Sequence, residues 1–263
     1  TTPVNPKFCS TCGSHLPHDA AFCASCGTST SPQAASWSAS TERELLVPRY
    51  SLQGIGTAIC WVSGIALLPL GIATVAEFRQ VSIVNDLIDR PSLYDQSSFI
   101  SNWQSVEDVD TSAFGFAVLL GLAAFVLLVI WSWRASKNIQ TWAEQSGRDV
   151  RRGAGWAIGG WFIPFGNLCI PYQTIQDAWR RAPLPDGSLQ GHDDLPSNNA
   201  WLISWLTWVT TTFLDRFLVR NWFSDETPRE FRTTYFLAGF SNLLLAVSVI
   251  SLIVAVKQIS DRH

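Results

Sequence analysis

Four cysteines near the start of the sequence have the spacing of a metal-binding site. Cys9, Cys12, Cys23 and Cys26 form the pattern C-x2-C-x10-C-x2-C, in which each pair belongs to a repeated knuckle, F-C-S-T-C-G and F-C-A-S-C-G. Two thiolates of such a knuckle bind from a tight turn, and the following glycine can adopt a positive φ that points backbone amides at the sulfurs. Four thiolates are the ligand set of a closed, tetrahedral structural site. The pattern therefore predicts one structural Zn2+.

Other interpretations of these cysteines stay open. Two adjacent C-x-x-C pairs can form disulfides, although this requires an N-terminus that is exported to an oxidising compartment. Iron can take the same ligands, and His15 or His18 can replace a cysteine, although four thiolates already complete the set. Because residues 1–28 are too few to bury a useful core, we expect the metal to supply the folding free energy of this module.

The rest of the chain has the composition of a membrane protein. Of 263 residues, 47% are hydrophobic, 13 are Trp and only 15% are charged, which is too apolar for an ordinary soluble domain. Three uncharged stretches exceed the roughly 20 residues that a helix needs to cross the hydrocarbon core. These stretches are residues 52–76, 113–133 and 233–256. A fourth, 200–219, contains Asp215 and Arg216, which can snorkel or bond within a bundle, and we predict that it is also a span.

A further apolar stretch is interrupted repeatedly by glycine and proline. It contains Gly153, Gly155, Gly159, Gly160, Pro164, Gly166 and Pro171. The stretch can be a fifth span or a re-entrant segment, 153–171, and either choice places 12 of the 18 Lys and Arg residues inside. Residues 111–140 and 233–259 resemble each other, since each is an apolar run that follows acidic sequence and passes into basic sequence. If the two stretches are equivalent, the spans at 113–133 and 233–256 cross the membrane in the same direction. This requires an even number of crossings from the start of one to the start of the other and favours the re-entrant segment.

The predicted fold is an all-α membrane protein preceded by a small zinc ribbon. Its four transmembrane helices and re-entrant segment occupy residues 49–263, after a ribbon at 1–28 and a flexible Ser/Thr/Ala-rich linker at 29–48. Both termini are expected in the cytoplasm, and the acidic residues 79–112 outside. The net charge is -3 and the basic residues are scattered, so no nucleic-acid partner is expected.

Three sequence segments carry a resemblance to a known family. They are W-S-W-R-A-S-K-N at 131–138, W-A-I-G-G-W-F-I-P-F-G-N-L-C-I-P-Y-Q at 156–173 and D-A-W-R at 177–180. In these segments the chain resembles a bacterial, chiefly actinobacterial, membrane family catalogued as domain of unknown function 4328, from about Leu52 to the end. The resemblance implies a multi-pass protein of the bacterial inner (plasma) membrane, often with an N-terminal zinc ribbon. It implies no activity.

The stretch at 153–171 that glycine and proline interrupt is called the broken segment, and it also holds physically unusual residues. Pro164 and Pro171 free backbone carbonyls at membrane depth, where such groups are tolerated only inside protein or in a wet cavity. We expect Arg134 and Asn138, four apart on one helical face, to bond these carbonyls together with Asn167 and to stabilise a packing plug. A site for a small solute or lipid is the alternative. The candidate residues are Arg134, Asn138, Trp156, Trp161, Pro164, Asn167, Pro171 and Tyr172.

Three further patterns concern helix packing. Gly155 and Gly159 form a small-x-x-x-small pair that suits close helix approach, and Asn242 is expected to make an interhelical hydrogen bond. A helical stripe of tryptophans at i, i+4 and i+7 is interpreted as packing or lipid contact, with an aromatic cage for a cation as the alternative. The stripe consists of Trp201, Trp205 and Trp208.

The sequence carries no recognisable catalytic motif. H-E-x-x-H, G-x-S-x-G and the P-loop are missing from it, and histidines occur only at positions 15, 18, 192 and 263, outside the predicted spans. We therefore expect no enzyme. The favoured hypothesis is a non-catalytic membrane scaffold, accessory or regulatory subunit, whose zinc ribbon contacts a cytoplasmic partner and whose bundle packs against another membrane protein or complex. The alternative is a transporter or binding protein for a small solute or lipid.

Overall fold

The chain folds into two compact units, Thr1–Val47 and Pro48–His263. The computed structural model describes residues 7–9, 11–16, 22–28, 48–91, 95–146, 149–183, 196–222 and 227–263. Apart from Pro48, the predicted linker at 29–48 lies outside the described residues, as do His18 and His192. Each unit is described by itself.

The first unit is built around one short hairpin. Strand β1 (Lys7–Phe8) pairs antiparallel with β2 (His15–Leu16), and Phe8 lies opposite His15. Among the described residues of this unit, the buried apolar side chains are those of Cys9, Leu16 and Cys23. That the metal supplies the folding free energy of the unit stays a prediction.

The second unit is helical. Its helices are α1 (Gln53–Asp89), α2 (Gln96–Ser146), α3 (Trp156–Gly159), α4 (Ile170–Arg181), α5 (Asn199–Trp222) and α6 (Pro228–Ser260), with a 3-10 turn at Gly166–Leu168. Three helices, α1, α2 and α6, are long and apolar enough to cross a membrane. At about 1.5 Å per residue, α1 and α2 also extend well beyond a hydrocarbon core of roughly 30 Å. Most of residues 79–112, which the sequence analysis placed outside the membrane, is helix.

The long helices are apolar outside and partly polar inside. On α1 and α6, exposed large apolar side chains recur at helical spacing. They are Trp61, Ile65, Leu68, Ile72 and Val75 on α1, and Phe236, Phe240, Leu243, Val247, Ile250 and Val254 on α6. The buried faces instead contain Ser63, Thr74, Ser241, Asn242 and Ser248. Small and polar residues between helices with apolar residues around them are typical of a membrane bundle.

The four long helices form a row in the order α2, α1, α6, α5. Helices α2 and α6 run in the same direction, because Trp103 packs against Tyr235 toward one end while Trp131 Nε1 donates to Ser260 Oγ at 2.9 Å at the other. This agrees with the direction that the internal likeness requires. The end that holds Trp131 and Ser260 is called the near end, and the end that holds Trp103 and Tyr235 the far end.

Helix α1 runs antiparallel to α6 between these two ends. A Cβ on Gly56 would lie 2.5 Å from Ser260 Oγ, so the two helices approach closely at the near end. Toward the far end, Asn242 Nδ2 donates to Glu77 Oε2 at 2.9 Å. The expected interhelical hydrogen bond of Asn242 is confirmed.

Helix α5 lies antiparallel beside α6 along its length. At the near end, Asn198 Nδ2 donates to Gln258 Oε1 at 2.9 Å. Farther along, Ser248 Oγ donates to the Ser204 carbonyl at 2.8 Å, and then Ser241 Oγ donates to Asp215 Oδ1 at 2.7 Å. Asp215, which interrupts the apolar run of α5, thus has a partner within the bundle, as the sequence allowed.

Helices α2 and α5 are the first and last in this order of neighbours, and the broken segment packs between them. It passes inward beside α2, where Ser132 Oγ donates to the Ala157 carbonyl at 3.3 Å and Trp161 packs edge-on against Phe125, with 5.2 Å between ring centroids. It returns beside α5, past Trp205 and then Trp201. Both ends of the segment therefore lie at the near end of the bundle.

Candidate metal centre and broken segment

The four predicted cysteine ligands come together in the first unit. Their sulfur atoms all lie within 4.8 Å of one another, and Cys9 Sγ–Cys26 Sγ and Cys12 Sγ–Cys23 Sγ are each separated by 3.6 Å. An S–S bond is about 2.05 Å long, so these pairs are not disulfides. Four sulfurs on a zinc with bonds of about 2.3 Å would be about 3.8 Å apart. The cluster can hold one metal ion.

Both knuckles position their cysteines in the same way. In the first, the Gly13 N–H donates to the Cys9 carbonyl at 2.9 Å, and in the second the Gly27 N–H donates to the Cys23 carbonyl at 2.8 Å. Gly13 and Gly27 have φ of 72° and 70°. This left-handed conformation favours glycine, so the positive φ expected from C-x-x-C-G is confirmed at both positions.

Local hydrogen bonds favour the thiolate form of Cys9 and Cys12. The Cys12 and Thr11 N–H groups lower the pKa of Cys9, and the Ser14 hydroxyl, whose Oγ is 3.4 Å from Cys12 Sγ, lowers the pKa of Cys12 to about 6. Since metals bind the thiolate, the lowered pKa values of Cys9 and Cys12 favour coordination. The pKa of Cys26 is raised: its hydrogen bonds to Thr28 lower it, but the neighbouring Cys12 and Cys9 side chains and burial outweigh them. Sequence reasoning missed the hydroxyl at this position, although Thr28 repeats it in the second knuckle, with Oγ1 3.2 Å from Cys26 Sγ.

In the second unit, two tryptophans of the α5 stripe bond the broken segment. Trp205 Nε1 donates to the Leu168 carbonyl at 3.2 Å, and Trp201 Nε1 donates to the Tyr172 carbonyl at 3.1 Å. The stripe does pack against the segment, as interpreted, but it also supplies hydrogen bonds that were assigned to other residues. The sequence did offer a signal for these bonds: the indole N–H donor is repeated at i and i+4 on α5, in a chain whose proline-containing segment needs donors for its carbonyls.

The expectation that Arg134 and Asn138 cap carbonyls of the broken segment is wrong. Asn138 is fully buried and bonds Tyr50 instead: its Oδ1 accepts from the Tyr50 N–H and its Nδ2 donates to the Tyr50 carbonyl, both at 2.8 Å. The Arg134 guanidinium lies over the Tyr50 ring, 5.9 Å from its centroid. Both residues therefore contact Tyr50, which lies just before α1 and covers this face of α2.

The remaining candidates of the broken segment have different environments. Pro171 is buried at the start of α4, whereas Pro164 and Trp156 are exposed. Asn167 donates its backbone N–H to the Ile163 carbonyl at 2.9 Å, which closes the turn around Pro164. Tyr172 packs its ring against Trp205. Trp161 packs edge-on against Phe125 of α2 and against Trp205 and Trp208 of α5.

The close approach expected at Gly155 and Gly159 occurs elsewhere. A Cβ at either position would have no atom within 4 Å. At Gly160, a Cβ would lie 2.8 Å from the Trp156 carbonyl oxygen and 2.9 Å from Ile170 Cβ. The tight contact therefore lies within the segment, between the end of α3 and the start of α4.

Comparison with known proteins identifies one family. The family described as Domain of unknown function (DUF4328) matches residues 101–261, which is more than half of the chain. The match includes most of α2, the broken segment, α5 and α6. It begins farther along the chain than the resemblance predicted, which was from about Leu52. No curated protein and no solved structure matches the chain.

Proposed function

The chain belongs to the DUF4328 family, whose description assigns no activity, and from its own geometry we propose a non-catalytic membrane accessory or regulatory protein. In this proposal the helical unit anchors the chain in the inner membrane and packs against another membrane protein or complex. The N-terminal unit binds one Zn2+ and contacts a cytoplasmic partner protein. The cysteine cluster carries the proposal, because a closed four-thiolate site stabilises a fold and leaves no position for catalysis.

The surface of the N-terminal unit supports a role in protein contact. Phe8 and Phe22 precede the first cysteine of each knuckle and are 60% and 59% exposed. A metal site needs neither ring in solvent, and exposed aromatic residues are enriched where proteins bind one another. We propose that the two phenylalanines form the partner contact.

A comparison of matched variants tests this contact. The full chain with Phe8→Ala and Phe22→Ala should keep one zinc per chain and its melting temperature in detergent. The amount of associated protein recovered after in-cell crosslinking should fall about tenfold. Phe116→Ala, which removes a 65% exposed ring from α2, is the control and should leave recovery of the partner that depends on Phe8 and Phe22 unchanged. If the wild type, the double phenylalanine variant and Phe116→Ala recover equal amounts of associated protein, the contact is refuted. Deletion of residues 1–28 without loss of recovery would also refute it.

We further propose that the helical unit crosses the membrane four times. Three residues spread along this part of the chain, Asn198, Ser204 and Asp215, each form a hydrogen bond with α6. Helix α5 therefore lies beside the apolar length of α6, which supports a crossing by α5 as well. The broken segment, whose two ends both lie at the near end, would then be re-entrant. Tyr50 and His263, close to the first and last residues of the helical unit, both contact Asn138 at the near end. We propose that this end faces the cytoplasm.

Cysteine labelling tests this topology. In a chain with Cys60→Ser and Cys169→Ser, Ser188→Cys should react with a membrane-impermeant maleimide only after the membrane is opened. Ser98→Cys, in the first turn of α2, should react in intact cells. If Ser188→Cys reacts in intact cells, the segment crosses the membrane and the five-span alternative is correct.

A further inference from the structure

Charge is distributed unevenly between the two ends of the helical unit. At the near end, the described residues within 48–52, 131–183 and 257–263 include nine Lys or Arg and four Asp or Glu. At the far end, the described residues within 77–110 and 215–232 include six Lys or Arg and nine Asp or Glu. A basic end beside an apolar layer is the feature by which membrane proteins attract anionic lipid headgroups.

Three of the near-end arginines line one small, half-open pocket, which is called the arginine pocket. Arg151 and Arg152 come from the chain that enters the broken segment, and Arg181 comes from the last turn of α4. One carboxylate, that of Asp177, also lines the pocket, so its lining carries a net positive charge. The volume of about 20 Å3 is sufficient for one water-sized group, such as a single phosphate oxygen.

Two of these guanidinium groups are held by neighbours, and the third is free. Arg152 Nη1 donates to Gln173 Oε1. Arg181 Nη1 donates to the Asp149 carbonyl at 3.0 Å. A guanidinium has five N–H donors, so one such bond leaves further donors for a ligand. Arg151 is exposed and forms no hydrogen bond or ion pair with any residue that the structure describes. Guanidinium groups that share one pocket suit a phosphate, which accepts two parallel N–H bonds from an arginine.

An exposed apolar surface begins beside the arginine pocket. Gly153 lines the pocket, and its carbonyl accepts from the Trp156 N–H at 3.0 Å, so Trp156 lies one turn away. From there the broken segment passes inward beside α2, and Trp156, Ile158 and Phe162 are 46%, 41% and 68% exposed. A free phosphate or an acidic peptide has no use for this apolar surface. An anionic lipid matches both parts, because its phosphate suits the guanidinium groups and its acyl chains suit the apolar side chains.

We propose that the arginine pocket binds the phosphate of one anionic phospholipid, whose acyl chains lie along Trp156, Ile158 and Phe162. Arg152 and Arg181 donate to the phosphate from the positions in which their neighbours hold them, and Arg151 binds it from the surface. The broken segment then has a function besides packing between α2 and α5, because it forms the path for the lipid chains. This inference rests on the proposed topology, in which the near end lies at the cytoplasmic surface of the membrane.

Native mass spectrometry of the full chain, released from detergent micelles, can test the site. The probe is dioleoyl phosphatidylglycerol, and its matched analogue is dioleoyl phosphatidylcholine, which has the same acyl chains and a positive choline group that arginines repel. Phosphatidylglycerol should saturate at one molecule per chain and bind about tenfold more tightly, as expected for charge-assisted hydrogen bonds. Equal binding of the two lipids would overturn the site.

A soluble competitor separates a lipid site from a site for a free phosphate ester. Glycerophosphoglycerol is the headgroup of the probe without its acyl chains, and at the same concentration it should not displace phosphatidylglycerol. If it does displace the lipid, the pocket binds a soluble phosphate ester and the lipid proposal is wrong.

Three variants locate the binding. Arg151→Gln should weaken phosphatidylglycerol binding about tenfold without a change in melting temperature, because Arg151 bonds no residue that the structure describes. Arg151→Lys keeps the charge and should bind more tightly than Arg151→Gln. Lys257→Gln removes the same charge from an exposed near-end residue outside the pocket and should bind like the wild type. If Arg151→Gln and Lys257→Gln have equal effects, the preference reflects the overall charge of the near end and the arginine pocket is not the site.

The cysteine labelling described above separates this inference from the proposed function. If Ser98→Cys and Ser188→Cys react as expected but phosphatidylglycerol is not preferred, the lipid site alone is wrong. If phosphatidylglycerol is preferred through Arg151 and the labelling also agrees, both proposals are supported.

Discussion

The two units of this chain keep their shape by different means. Among the described residues of the N-terminal unit, the backbone hydrogen bonds at the cysteines join residues within one knuckle, and Leu16 is buried beside Cys9 and Cys23. In the helical unit, the decisive bonds join distant residues: Trp131 and Ser260 are 129 positions apart, and Glu77 and Asn242 are 165 apart. The first unit is organised around a cysteine cluster that can hold a metal ion, and the second around the packing of helices.

This difference shows where a single substitution should act. A change at a cysteine removes a ligand on which the whole small unit depends, whereas a change in the bundle removes one of many contacts. A substitution in one unit should therefore leave the stability of the other unchanged. We expect the loss of stability to be largest at the cysteine cluster and smallest at the periphery of the bundle.

We expect the largest effect from Cys9→Ser. Structural zinc contributes about 10–16 kcal/mol to the folding of small zinc modules, so loss of one ligand should unfold the N-terminal unit. Metal analysis should find well below one zinc per chain, while the melting temperature of the helical unit stays the same. Cys169→Ser, at an exposed cysteine outside the cluster, should retain one zinc. A Cys9→Ser chain with full metal content would contradict the four-cysteine site.

Gly160→Ala should have the next largest effect. Its Cβ would lie 2.8 Å from the Trp156 carbonyl oxygen, and this overpacking typically costs about 1–3 kcal/mol. The melting temperature in detergent, followed by circular dichroism, should fall. Gly159→Ala is the control, because a Cβ at Gly159 meets no atom within 4 Å. Equal melting of the two variants would mean that the segment is not tightly folded at Gly160.

Trp205→Phe should destabilise the bundle by about 1–3 kcal/mol. The substitution keeps an aromatic ring but leaves the Leu168 carbonyl without its donor. Thermal unfolding in detergent measures the change, and Trp61→Phe, at a 70% exposed position on α1, serves as the control. If both variants melt alike, the indole bonds do not hold the broken segment.

The smallest effect is expected for Arg134→Ala. Its guanidinium contacts the Tyr50 ring at a partly exposed position, and such cation–π contacts contribute about 0.5–1 kcal/mol. Asn138→Ala should cost more, because it removes both bonds to the Tyr50 backbone. Calorimetry in detergent can rank the two variants. A loss for Arg134→Ala larger than for Trp205→Phe would restore Arg134 as the group that holds the broken segment.

Much of this protein could be predicted from local sequence. The cysteine spacing predicted the cluster, and the glycine after each C-x-x-C predicted the positive φ at Gly13 and Gly27. Uncharged runs predicted the helices α1, α2 and α6, because crossing a bilayer requires a minimum apolar length. These features depend on residues that are close together in the chain, so a single sequence contains what is needed to infer them.

Only the tertiary structure decided which side chains meet at the broken segment. The prolines showed that carbonyls there need partners, and Arg134, Asn138 and Trp205 all carry suitable donors on helical faces. The choice depends on the order of the helices in the row and on their rotation about their own axes. The structure puts Trp205 beside Leu168 and directs Asn138 to Tyr50. These outcomes follow from packing between distant segments, which local spacing does not determine.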